Sequence, residues 1–186
     1  MSITNETNNK REYLRYYVKP IKGSFTASVK KGEDYETIES FNTLIGNLIY
    51  TSIVFDPGTP KKKGQKGYET YDAFWMLLVD DEKKEDYLLK CDVQRTFTWL
   101  LASRLPFIKP DDKLKIVVKS GDKEEVTLCY IYKWVASEAS PEGGDWVYIE
   151  NETYPEDRDE KISKGIATIR SHESFKDFSK KPAQSE

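Results

Sequence analysis

Residues 87–119 read YLLKCDVQRTFTWLLASRLPFIKPDDKLKIVVK, and the apolar period changes twice within them. Tyr87, Leu89, Cys91 and Val93 alternate with Leu88, Lys90 and Asp92, the two-residue repeat of a strand. Across residues 94–105 the period lengthens. Phe97, Leu100, Leu101 and Leu105 fall at helical spacing, which predicts a short amphipathic helix. Pro106 and Pro110 stop it, because proline lacks the backbone N–H and biases the residue before it away from the helical region. Leu114, Ile116 and Val118 then restore the strand alternation over residues 113–119.

Upstream, residues 43–55 (TLIGNLIYTSIVF) are a long β-branched strand in which Gly46 and a phase change after Leu48 predict a bulge or sharp bend. Residues 73–80 form the next strand, joined to residues 87–93 by a charged turn. Downstream, the turn SGDKEE leads into a strand over residues 126–135. Five strands with a single helix between the third and fourth predict an all-β chain with one short helix, laid out as an OB-fold: a five-stranded Greek-key barrel over residues 43–135. A parallel α/β sheet would need a helix after almost every strand. Residues 1–42 are an N-terminal extension in which Phe25, Ala27 and Val29 mark a strand packing on the barrel, followed by a polar connection over residues 32–42. Residues 136–186 are a C-terminal extension, expected to be partly disordered. It carries a short strand at residues 145–149, a solvated acidic stretch at residues 150–160 and a weak strand at residues 166–169.

Composition narrows the chemistry. The 186 residues are 38% hydrophobic and 33% charged, with a net charge of −3. Attraction to phosphate must therefore be local. No apolar run approaches the roughly 20 residues of a membrane helix. The start, MSITNETNNKRE, lacks the apolar core of a signal peptide, so a cytoplasmic protein with no membrane contact is expected. Cys91 and Cys129 sit in apolar strands without metal-ligand spacing and read as buried thiols. The one histidine, His172, falls in the tail, and no phosphate-binding loop, dinucleotide fingerprint or zinc motif is present. Asp80 and Asp81 read as a turn. The expectation is a protein without enzymatic activity, cofactor or metal.

The segments KGSFTASVKKG and TLIGNLIYTSIVF with Gly46, the loop ending in Gly67 and Tyr68, and WMLLVDDEKKEDYLLKCDV follow one another in the chain. With ASRLPFI and KLKIVVKSGDKEEVTLCYIY they resemble the OB-fold single-stranded DNA-binding proteins encoded by bacteriophages, over about residues 22–134. Many bacterial single-strand binders end in an acidic tail with an apolar tip; this sequence ends KKPAQSE. The resemblance implies sequence-tolerant binding of single-stranded DNA that protects replication or recombination intermediates in the host cytoplasm.

Barrels of this kind bind oligonucleotides on the face of their second and third strands and with the loops beside it. Here the first-to-second loop, DPGTPKKKGQKGYETYD, carries Lys61, Lys62, Lys63 and Lys66, cations whose pairing with phosphate releases counterions. Tyr68 and Tyr71 stand at the entrance of the second strand. Phe74 and Met76 are assigned to its outward face as stacking residues, and Trp75 to its interior. Lys30, Lys31 and Lys90 extend the basic track. A solvated loop and a strand packed beneath the N-terminal extension are the plain alternatives for these features. Tyr130, Tyr132 and Trp134 share one face of the fifth strand, as barrel filling or as a second stacking surface. Trp146 and Tyr148 form a late aromatic pair that covers the barrel or mediates self-association. RNA is not distinguished from DNA, since no residue visibly reads a 2′-hydroxyl. The competing function is a non-enzymatic protein-interaction or virion-associated β-barrel module on the same scaffold.

Overall fold

Strand β1 (Leu14–Ile21) lies parallel on strand β6 (Glu85–Asp92), in the register Leu14↔Glu85 through Val18↔Leu89. This contact joins the N-terminal strands to the rest of the sheet. The computed structural model describes residues 13–57, 70–123, 126–138 and 140–178. β2 (Ser24–Lys31) and β3 (Asp34–Phe41) extend from β1 on one side. On the other side of β6 come β5 (Thr70–Asp80), β4 (Thr43–Pro57), β7 (Lys113–Ser120), β8 (Thr127–Ser137) and β9 (Ser140–Tyr148). The order is β3-β2-β1-β6-β5-β4-β7-β8-β9, with every contact antiparallel except β1–β6. Helix α1 (Thr96–Ala102) and a 3-10 turn (Leu105–Phe107) follow β6, and helix α2 (Arg158–Ser171) follows β9.

The chain is mostly β, as expected, but the sheet does not close into a barrel among the described residues: β3 and β9 stand at its ends. The edge of β6 that closure would need is occupied by β1. Strand edges left unpaired expose rows of N–H and C=O groups, and β1 satisfies those of β6. The curled sheet still encloses one core. Val18, Phe25, Leu44, Leu89 and Ile116 meet there, and α1 adds Phe97 and Leu101. Gly46 lets β4 lie close to β5, because a Cβ there would meet the Leu78 Cβ and the Val79 carbonyl at 3.1 Å. The bend expected after Leu48 is present as a register shift between Leu48 and Tyr50.

Two expectations for the extensions are corrected. Residues 32–42 are not a polar connection: Asp34–Phe41 is a strand. It hides its period because Asp34 through Ser40 are all exposed. Residues 166–169 are helical, within α2. The acids of residues 150–160 are exposed, as expected, and the last of them start that helix, with Asp157 accepting from the N–H groups of Asp159 and Glu160; acids at a helix N-terminus are favoured by capping and by the helix dipole. The chain beyond α2 is anchored as far as it is described. The Thr51 N–H donates to the Ser174 carbonyl, and Lys176 donates back to Thr51. His172 donates from Nε2 to the Ile108 carbonyl at 2.9 Å and accepts at Nδ1 from the Ser174 N–H.

The phase of β5 is the inverse of the expected one. Phe74, Met76 and Leu78 are 0% exposed and lie in the core, while Trp75 is half-buried on the outside. The sequence misleads because both faces are apolar. On the outside, Leu77, Val79 and Leu88 form a second small cluster, roofed by Tyr13, Tyr17, Tyr50 and Trp75. A strand apolar on both faces carries no alternation signal, and one step of phase exchanges every side chain. Truncating Phe74 to alanine should therefore cost about 3–5 kcal/mol of stability, and Trp75→Ala clearly less. Urea unfolding of both variants checks this; a larger loss for Trp75→Ala would mean that Trp75 is the inward residue.

Candidate nucleic-acid interface

The outward face of β1, β6 and β5 is built in rows set by strand register. Tyr17 stands opposite Leu88, Leu88 opposite Leu77, and Leu77 opposite Tyr50. One row nearer the loop after β4, Lys90 stands opposite Trp75. Lys19, two residues beyond Tyr17, shares its face by strand alternation. On the other flank Tyr17 is opposite Ser28, which puts Lys30 on the same face. Tyr35, across from Lys30, sets its ring edge-on to Tyr17 at 5.0 Å between centroids. The result is a surface of three rings (Trp75, Tyr17 and the 56% exposed Tyr35) interleaved with Lys19, Lys30 and Lys90.

The charge on this face is graded. At the far end Arg15 is paired with Asp86 at 2.9 Å, and the Tyr13 hydroxyl donates to Asp81 at 2.6 Å. Among the described residues the register row of Trp75 and Lys90 holds no acid. The Trp75 indole N–H is buried without a hydrogen-bond partner among the described residues. An unmet buried donor costs about 1–3 kcal/mol.

The expected site residues divide. Lys30 and Lys90 share the outward face but stand at opposite ends of it, Lys30 toward Arg15 and Lys90 beside Trp75. Lys31 turns away by alternation and is ion-paired with Glu36. Phe74 and Met76 are core residues and present nothing to a ligand, so the stacking role assigned to them does not hold. Lys61, Lys62, Lys63, Lys66 and Tyr68 lie outside the described residues. Tyr71 is placed in β5 opposite Asp56, and its side chain lies outside the description as well. Sequence reasoning missed Tyr17, Lys19 and Tyr35. The run YLRYYVK carried the signal, with Tyr13, Arg15, Tyr17 and Lys19 at alternate positions.

A cleft of about 800 Å³ opens beside this face, where the turn between β1 and β2 approaches the start of β8. The Gly23 N–H donates to Thr127 Oγ1 and the Ser120 hydroxyl to the Lys22 carbonyl, both at 3.1 Å. Gly23 has φ of +79°, and a Cβ there would collide with Ser120, so this approach requires glycine. Lys22, Arg95 and Arg158 line the cleft together with Asp92, whose carboxylate accepts from the Gln94 N–H at 2.7 Å.

Both cysteines and Tyr87 hold their protons more tightly than usual. Burial pushes the Cys91 thiol up to about 11 and the Cys129 thiol up to about 12. Burial and then Glu85 raise the Tyr87 phenol. Among the described residues no three His, Cys, Asp or Glu side chains gather as a metal site, and no helix is long and apolar enough to cross a membrane. No protein family model, no curated protein and no solved structure matches the chain.

Because the folded state holds the two thiol protons more tightly, their contribution is complete below the ordinary thiol value near pH 9 and is lost as pH rises through about 11 and 12. A thiol reagent at pH 8 should accordingly react with neither cysteine in the native protein and with both after denaturation. Rapid native labelling of either one would contradict its burial.

Proposed function

We propose that this chain binds single-stranded DNA without sequence preference and performs no chemistry on it, protecting replication or recombination intermediates as the phage proteins it resembles do. The observation that carries this reading is the outward surface of Trp75, Tyr17 and Tyr35 interleaved with Lys19, Lys30 and Lys90. Rings accept any base by stacking, and ammonium groups take up phosphate without reading sequence. We read the fold in the same way, as an opened OB barrel. The run β6-β5-β4-β7-β8, with α1 between β6 and β7, follows the strand order of an OB barrel opened at its closing seam. In that frame the surface described above is the face on which such barrels bind oligonucleotides. The host cytoplasm is the setting this function implies.

One observation favours the protein-interaction alternative. Among the described residues β3 ends the sheet with its outer edge unpaired, and Ile38 is 50% exposed, an arrangement open to strand addition from another chain.

Titration of labelled oligo(dT), duplex DNA and single-stranded RNA tests the proposal. Oligo(dT) should bind more tightly than duplex, with affinity falling as salt rises. Trp75→Ala should weaken binding by roughly 1–3 kcal/mol. Replacing Lys30 and Lys90 by alanine should flatten the salt dependence by about 0.7 per cation. Absence of oligo(dT) binding, or preference for duplex, would refute the proposal. Concentration-dependent self-association without DNA binding would support the alternative.

A further inference from the structure

The outward side of β7, β8 and β9 carries a second array of rings. Tyr130, Tyr132 and Trp134 project outward along β8 between the buried Cys129 and Ile131 and the half-buried Lys133. β9 places Tyr148 opposite Tyr132 and Trp146 opposite Trp134, with centroids 5.5 Å and 5.3 Å apart in edge-on pairs. From β7, the Lys115 ammonium lies 4.8 Å from the centres of both Tyr132 and Trp146, and Lys119 lies 5.5 Å from Tyr130. Behind Tyr148 is Arg104, only 3% exposed. It donates to the Tyr148 hydroxyl at 2.9 Å, and its other hydrogen bonds end on the Leu100 and Ile149 carbonyls and the Asn151 amide oxygen. A positive charge is therefore held beneath the edge of this array by neutral acceptors.

Cross-strand aromatic pairs stabilise sheets wherever they occur, but they do not require the charge pattern seen here. The chain has 32 acidic and 29 basic residues. Yet the outward positions of β7 and β8 alternate lysine, aliphatic and aromatic side chains, with no acid among them in the described residues. One acid reaches in from a turn, Glu82 to Lys113 at 3.0 Å. Lys115 and Lys119 instead lie over rings, where cation–π attraction holds an ammonium beside a surface that still presents aromatic area. Packing a second copy on the same face would set these lysines against their own kind. An anionic polymer carrying planar rings matches both components.

We infer that the β7–β8–β9 face is a second stacking platform for single-stranded nucleic acid, engaging the strand that lies on the Trp75 face. This rests on the proposed single-strand binding. The outer surface of β4 joins the two platforms, with Ile45 opposite Lys115 on one side and Tyr50 opposite Leu77 on the other. From β6 to β8 the path crosses four strand spacings, roughly 19 Å.

The test uses the full chain and a labelled oligo(dT) of about 30 nucleotides, longer than the roughly 4–16 that one OB platform covers. Lys115→Ala/Lys119→Ala should leave the melting temperature unchanged, weaken binding and flatten the salt slope by about 1.4, or 0.7 per cation. Tyr132→Ala should weaken binding roughly 5- to 160-fold, the range expected for a lost stacking ring. If the lysine pair changes neither affinity nor slope while Trp75→Ala still weakens binding, this second platform is excluded and the first stands. If the lysine variant changes only the sedimentation of the protein, the face is a self-association surface and the inference fails. If the unaltered protein binds no oligonucleotide, the proposed function itself fails and takes the platform with it.

Discussion

The parallel pairing of β1 with β6 is the contact on which the arrangement depends. It occupies the edge that would otherwise close the sheet. It also brings Tyr17 and Lys19 alongside Leu88 and Lys90, extending a two-strand face into a wider surface. β2 and β3 follow and carry Lys30 and Tyr35 to the same side. The same pairing leaves the start of β8 without a strand partner on its outer side. The glycine turn between β1 and β2 meets that end instead, bonding to Ser120 and Thr127, and the cleft with Lys22, Arg95 and Arg158 lies beside it.

The two sides of the sheet do different work. Inside, Phe25, Phe74, Met76, Leu89, Phe97 and Ile116 are sealed from water, each fully buried side chain contributing about 1.5–3 kcal/mol by its transfer from solvent. Outside, aliphatic residues are buried only where aromatic residues roof them: Leu77, Val79 and Leu88 are 5–7% exposed beneath Tyr13, Tyr17, Tyr50 and Trp75. Rings anchored this way are stiff, and stiff platforms lose little freedom when a flexible ligand stacks on them. Lysines supply the remaining attraction. On the β7–β8–β9 face Lys115 and Lys119 lie over the rings of Tyr132, Trp146 and Tyr130.

Much of the fold was legible in the chain. In β7, where one face is buried and the other wet, alternation gave strand and facing together; in β8 it marked the strand but left open which way Tyr130, Tyr132 and Trp134 face. The helix after β6 was visible through its change of period, and the bulge in β4 through Gly46. What failed has physical causes. β5 is apolar on both sides, so its phase could not be read, and Trp75 and Phe74 exchanged roles. β3 is exposed throughout and left no period. The start of α2 was hidden within the solvated acidic stretch because capping residues and surface residues have the same composition. The candidate site was partly legible: Lys30 and Lys90 were found, Lys31 is turned away, and Tyr17 and Tyr35 were hidden because β1's pairing with β6 is a contact between residues about 70 positions apart, which no local pattern encodes.

Four tryptophans mark distinct parts of the molecule. Trp75 lies on the β1–β6–β5 face and Trp134 and Trp146 on the β7–β8–β9 face. Trp99 sits between the helices, near Gly165 and beneath Lys161. A nitrogen-15 spectrum of the indole N–H groups during titration with unlabelled oligo(dT) reports on all of them at once. The expected result is movement of Trp75, Trp134 and Trp146 with one shared saturation point while Trp99 stays in place. Movement of Trp99 alone, or no movement of Trp75 at saturating DNA, would contradict binding on the outward sheet.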